Sequence, residues 1–100
     1  MTITTERNND SIILHLDGWL DTLSAPELGK EVDAIEAAKE IVLDFDKVEY
    51  MASSGLRQVV ASHRKAKEIG AVLSIINVGT ETFSIFKMTG LDKKLDVKAK

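Results

Sequence analysis

Ile12, Leu14 and Leu16 alternate with Ile13, His15 and Asp17, a period of two that predicts a strand with one apolar side. Asn8, Asn9 and Asp10 ahead of it supply turn residues, so the first stretch of the chain reads as a hairpin. Gly18 marks a bulge or a close backbone approach at its end. The period then changes. In "SAPELGKEVDAIEAAK" the apolar positions Leu28, Val32, Ile35 and Ala38 share a helical face. Ser24 and Glu27 have capping-box spacing, and Pro26 is tolerated in the first turn because the N–H it lacks would be unpaired there.

"EIVLDF" is apolar on both alternations, the pattern of a central strand. Beyond "VEYMASSG", Leu56, Val59, Val60 and Ala66 return to helical spacing, and Gly70 closes that helix as a left-handed cap. "AVLSIINV" reads as a buried strand. "TETFSIFKMTG" reads as a short helix with Thr80 as cap, Phe83 and Phe86 inward and Gly90 at its end. A last short strand falls near Leu95–Val97, followed by a solvated Lys-rich tail. The order β-β-α-β-α-β-α, with that final strand, predicts an α/β fold: a small mixed β-sheet with helices packed against it.

Composition narrows the function classes. One hundred residues fit one domain spanning 1–100, and 44% apolar residues suffice for a core without metal or crosslinks. With no Cys, disulfides, thiolate catalysis and Cys-built zinc sites are excluded. The net charge of −3 is spread over both signs with no basic stripe, which argues against nucleic acid. No apolar run approaches the ~18 residues of a membrane span. "MTITTERNND" lacks a signal-peptide pattern, so a cytoplasmic protein without membrane attachment is expected. No dinucleotide or Walker motif occurs, and Asp44 and Asp46 read as polar punctuation at a strand end; no cofactor or metal is expected.

The stretch "VEYMASSGLRQVV" places two hydroxyls and a glycine at the joint between a strand and a helix. Three roles compete: helix cap, catalytic nucleophile, or hydroxyl presented for modification. The hydrolase elbow G-x-S-x-G lacks its first Gly here. His63 lies nine or ten residues along the following helix, roughly 14 Å away, and reads as a core or boundary histidine rather than a base. His15 reads as solvated. An enzyme is therefore not expected. A cap and a displayed hydroxyl are compatible, since one serine can do each. A helix N-terminus also tolerates a phosphate, because its free N–H groups and dipole favour negative charge.

These residues resemble the STAS family, the anti-sigma-factor antagonists of bacteria. "GWLDTLSAPEL" is similar to the family's G-x-[LI]-D segment, "IVLDFDKVEYMASSGL" to its central strand and D-S-S-G loop, and "FKMTGL" to F-x-x-[ST]-G-L. The resemblance covers nearly the whole chain and implies the STAS fold. It implies Ser53 as the phosphorylation target and partner switching as the mechanism. The unmodified protein binds an anti-sigma factor that is also a serine kinase and so frees the sigma factor. Phosphorylation blocks re-binding, and a phosphatase resets the switch. Ala52 stands where the family usually has Asp, and Arg57 where it often has a small residue. A STAS adaptor without a phosphorylation cycle, in a lipid-transport or signalling complex, is the alternative.

Around Ser53, the residues expected to meet the partner are Trp19, Asp21, Ser54, Gly55 and Arg57. Trp19 should lie on the strand face opposite Leu14 and Leu16, near Asp21. Ser53 is expected to be displayed and Ser54 to cap or pack. Arg57 and Arg64, seven residues apart, share a face that is either solvated or used in docking. Monomer and dimer are both compatible with the sequence.

Overall fold

The computed structural model describes residues 1–100. Its elements are β1 (Thr2–Asn8), β2 (Ser11–Leu20), α1 (Ala25–Asp33), β3 (Glu40–Met51), α2 (Ser53–Glu68), β4 (Val72–Val78), α3 (Thr80–Met88), a 3-10 turn (Leu91–Lys93) and β5 (Asp96–Ala99). The strands form one sheet in the order β1-β2-β3-β4-β5. β1 runs antiparallel to β2 through the Asn9-Asp10 turn, and every later pairing is parallel. Each parallel step moves one place in the same direction. Right-handed crossovers then put all three helices on one face and leave the other without a helix.

The burial pattern agrees. Ile12, Leu14 and Leu16 of β2, Ile41, Leu43 and Phe45 of β3, and Leu73 and Ile75 of β4 are buried in one core with Leu28, Val32, Val59, Ala66 and Phe86. β3 is central, as its two-sided apolar pattern predicts, and Val42 on its other face is also nearly covered. The last strand lies one residue beyond the expected start, and Lys100 closes it by donating to the Asp46 carbonyl.

Three local expectations are corrected. α1 ends at Asp33 rather than running to Lys39. Ile35 turns into the core, and Lys39 N–H bonds to the Asp10 carbonyl so that β3 can start beside Ser11. A helix continued through Lys39 would carry the chain away from that start. Ser24 precedes α1, but no capping box forms; its hydroxyl is used elsewhere, as described below. Thr80 is the first residue of α3 rather than its cap, with Gly79 in that place. On α2 the buried stripe is Gly55, Val59, Ser62 and Ala66, so Leu56 and Val60 sit at its edge. Small residues let this helix lie close to the sheet.

Candidate functional site

β2 and β3 are parallel neighbours that end in register, Leu20 beside Met51. This pairing brings the two loops after them together. The Ala52 N–H donates to the Leu20 carbonyl at 2.9 Å. Gly55 comes so close that a Cβ there would stand 2.5 Å from the Leu20 carbonyl oxygen and 2.7 Å from Leu20 Cγ. Gly55 is thus needed for close packing inside the first turn of α2. No residue with a side chain fits that space unless the strand moves.

In the first loop, Asp21 Oδ1 accepts the backbone N–H groups of Leu23 and Ser24, each at 3.1 Å, and the Asp21 carbonyl accepts from Ala25 N–H. The Ser24 hydroxyl accepts from Asp21 N–H at 2.9 Å and donates to the Trp19 carbonyl at 2.6 Å. A charged carboxylate is the stronger acceptor, so Asp21 and not Ser24 organises the start of α1. The Ser24 backbone N–H, with a further bond from the Leu23 N–H, holds the Asp21 carboxyl below its ordinary value of 3.8.

The second loop is the reverse. Ala52 takes the N-cap position of α2 with extended backbone and offers no side-chain acceptor to the helix. Ser53, the first helical residue, is exposed. Ser54 is half-buried, and its hydroxyl lies 3.1 Å from that of Thr22 across the two loops. Ser54 therefore ties the loops together and does not cap; a cap must precede the first helical residue, and that place belongs to Ala52. Neither serine hydroxyl hydrogen-bonds to a histidine. His63 is a boundary residue whose pKa is lowered by burial and by Lys67 one turn on.

Trp19 lies on the face opposite Leu14 and Leu16, 55% exposed. It pairs in register with Tyr50, 48% exposed, their ring centroids 5.1 Å apart and tilted by 53°. The indole N–H donates to Glu49 at 3.2 Å. Leu23, at 87% exposure, projects from the same loop as Asp21. The sequence reading missed Tyr50, Leu23 and Thr22. Only the β2–β3 register, shifted at the Gly18 bulge (φ 115°), pairs Trp19 with Tyr50. Arg57 is exposed one turn beyond Ser53.

A second polar cluster lies on the sheet face without helices. His15 Nδ1 is 2.7 Å from Asp44 Oδ2, and its Nε2 is 3.0 Å from Glu6 Oε1. Asp44 Oδ1 accepts from Asn77 Nδ2 at 2.9 Å and from Asp46 N–H at 3.0 Å. The bonds to Glu6 and Asp44 raise the His15 pKa above 6.5. Burial pushes the Asp44 carboxyl up, but the bonds from Asn77, Asp46 and His15 outweigh it and lower the pKa. His15 is thus held between two carboxylates rather than simply solvated, and Asp44 anchors a network rather than punctuating a strand end.

This fold and this pair of loops define a STAS-domain protein. The STAS domain model matches residues 2–100, and the chain belongs to that family. It is 28% identical over 101 residues to the anti-sigma-B factor antagonist of Bacillus subtilis, covering all of this chain and 93% of the relative. An anti-sigma factor antagonist structure from Mycobacterium paratuberculosis superposes with a TM-score of 0.87 at 24% identity, over 99% of this chain and 86% of that one. SpoIIAA, an anti-sigma factor antagonist, superposes in its unphosphorylated form with a TM-score of 0.83 at 18% identity, over 96% and 87% of the two chains. The phosphorylated form from Bacillus gives 0.76 at 18% identity, over 96% and 90%. No helix of this chain is long and apolar enough to cross a membrane.

Proposed function

We propose that this protein is an anti-sigma-factor antagonist switched by phosphorylation of Ser53. In the unmodified state the surface around Ser53 binds an anti-sigma factor that is also a serine kinase, and the sigma factor is released. The observation that carries this reading is the exposed Ser53 hydroxyl at an uncapped helix start, joined to the Asp21 loop through Ser54 and Thr22 and three residues beyond Tyr50, which pairs with Trp19 at the strand ends. The first amides of a helix have no intrahelical partner, and they and the positive dipole end accommodate a phosphate. The modification adds about −1.5 to −2 charges at neutral pH. It leaves the fold intact and places an unpaired charge in the docking surface, where desolvation opposes binding. A phosphatase returns the hydroxyl. A cycle that consumes ATP and ends at RNA polymerase belongs in the cytoplasm.

Incubation with the cognate kinase and ATP, followed by intact-mass measurement and phosphopeptide mapping, tests this reading. One phosphate on Ser53 is the expected result; a phosphate on Ser54 instead would exchange the two serine roles. Ala52 favours a second reading, because the acid the family usually places there is missing. In that reading the protein is a STAS adaptor that binds its partner without a phosphorylation cycle, and a bound partner with no phosphate transfer would establish it.

A further inference from the structure

Between α2 and the 3-10 turn lies a shallow groove of about 370 Å³ lined by Leu56, Arg57, Val60, Ala61, Arg64 and Leu91. We propose that it receives an acidic amphipathic helix of the partner, with two carboxylates seven residues apart and apolar side chains between them. The proposal rests on the reading that the Ser53 end of α2 faces a partner. It adds the chemistry of what that partner presents.

Charge is the first argument. No acidic side chain lines the groove. The ion pairs of the molecule join His15 to Glu6 and Asp44, Lys39 to Asp10, and Lys100 to Asp46, so both guanidiniums are uncommitted. α2 carries Arg57, Arg64, Lys65 and Lys67 against the single carboxylate of Glu68, on a chain whose net charge is −3. A cationic helix on an acidic protein selects an acidic ligand and repels a basic one. Guanidiniums suit carboxylates in particular, because the planar fork can donate two parallel hydrogen bonds.

Shape is the second argument. Leu56, Val60 and Arg64 form one row at spacing of four, and Arg57 and Ala61 form the next. A channel between two such rows is the seat for a ridge of another helix. Ala61 keeps that channel open, and Leu91 supplies apolar contact from the 3-10 turn. Arg57 and Arg64 are separated by about 10 Å along the helix axis. Carboxylates seven residues apart on an entering helix span the same length.

The test uses the full chain, labelled with 15N, and two synthetic 18-residue helical peptides. One peptide carries Glu at two positions seven apart with Leu and Val between, and its twin has Lys at both Glu positions. The Glu peptide is expected to shift the amides of Leu56, Arg57, Val60, Ala61, Arg64 and Leu91. It should bind about tenfold more tightly than the Lys twin, each exposed pair contributing modestly. In the Arg57→Glu/Arg64→Glu variant, both substitutions being at exposed positions, the preference should invert, with an unchanged fold shown by the rest of the spectrum. Equal binding of the twins, absence of binding, or shifts outside the groove would overturn the proposal. Phosphorylation of Ser53 with no preference between the twins removes the groove inference alone. A preference for the Glu peptide with no phosphorylation by the cognate kinase removes the switch and leaves the groove.

Discussion

Two helices of this protein begin side by side, at the ends of neighbouring strands, and they begin in opposite ways. α1 starts behind the Asp21 carboxylate, which binds two backbone N–H groups, with Ser24 tying the loop back to Trp19. α2 starts behind Ala52, which offers nothing to the first amides. Both starts carry the same positive dipole end. In α1 an internal acid already answers it. In α2 no side-chain acceptor answers it, and Ser53 stands exposed at the open start. The difference sets a closed helix start beside an open one within a few residues of each other, and the contact between Leu20 and Gly55 holds the two in fixed relation.

The most severe way to break this arrangement is to push the two starts apart. Gly55→Ala places a Cβ against the Leu20 carbonyl oxygen and Cγ, and should destabilise the fold by about 1–3 kcal/mol. Chemical denaturation would measure the loss, and an unchanged midpoint would show that α2 can shift without cost. Trp19→Ala spares both helix starts while removing half of the aromatic pair beside them. Partner affinity should fall by ~2 kcal/mol with little change in melting temperature. A large loss of stability with unchanged affinity would make the indole a structural element instead.

Ser53→Asp supplies a permanent charge at the open start. Folding should be unimpaired, since an acid there is favourable by a few tenths to one kcal/mol. Partner binding should drop by tenfold or more, about 1.4 kcal/mol, whereas Ser53→Ala should bind normally and resist phosphorylation. Ala52→Asp would make the second start resemble the first. Ala52 already has the extended backbone of a capping residue (φ −82°, ψ 168°), so the new carboxylate should stabilise the protein by about 1 kcal/mol in thermal melts. Asp21→Ala should lower the melting temperature by opening the start of α1.

The smallest effect concerns pH and lies away from both starts. His15 has its pKa raised in the fold, so its stabilising contribution is complete below the ordinary value of 6.5 and is lost as pH rises through the folded value. Asp44 has its pKa lowered, so its contribution is present above 3.8 and is lost as pH falls through the folded value. Melting temperature should therefore decline once pH climbs above 6.5, and His15→Gln should flatten that decline. The effect is modest because His15 and Glu6 are both partly open to solvent.

What could be read from the chain follows the range of the interactions involved. Alternation in β2, the two-sided apolar run in β3 and the helical spacing in α2 are consequences of burial on a repeating backbone, and they are written locally. The order of elements and the exposure of Trp19 follow from the same periods. The position of Ser53 at a strand-to-helix joint was equally legible, because glycine and serine there interrupt two patterns. The cap of α1 was not, since Ser24 and Glu27 have the right spacing but Asp21 is the better acceptor once the loop closes. Nor was the end of α1, which the start of β3 beside Ser11 imposes. Trp19 meets Tyr50, Ser54 meets Thr22, and His15 meets Glu6 and Asp44 only because strands pair in one register. The sequence by itself determined the elements and the displayed serine, through local periodicity and turn chemistry. Tertiary structure alone decided which helix start is closed, which is open, and what surrounds the open one, because those depend on contacts between residues far apart in the chain.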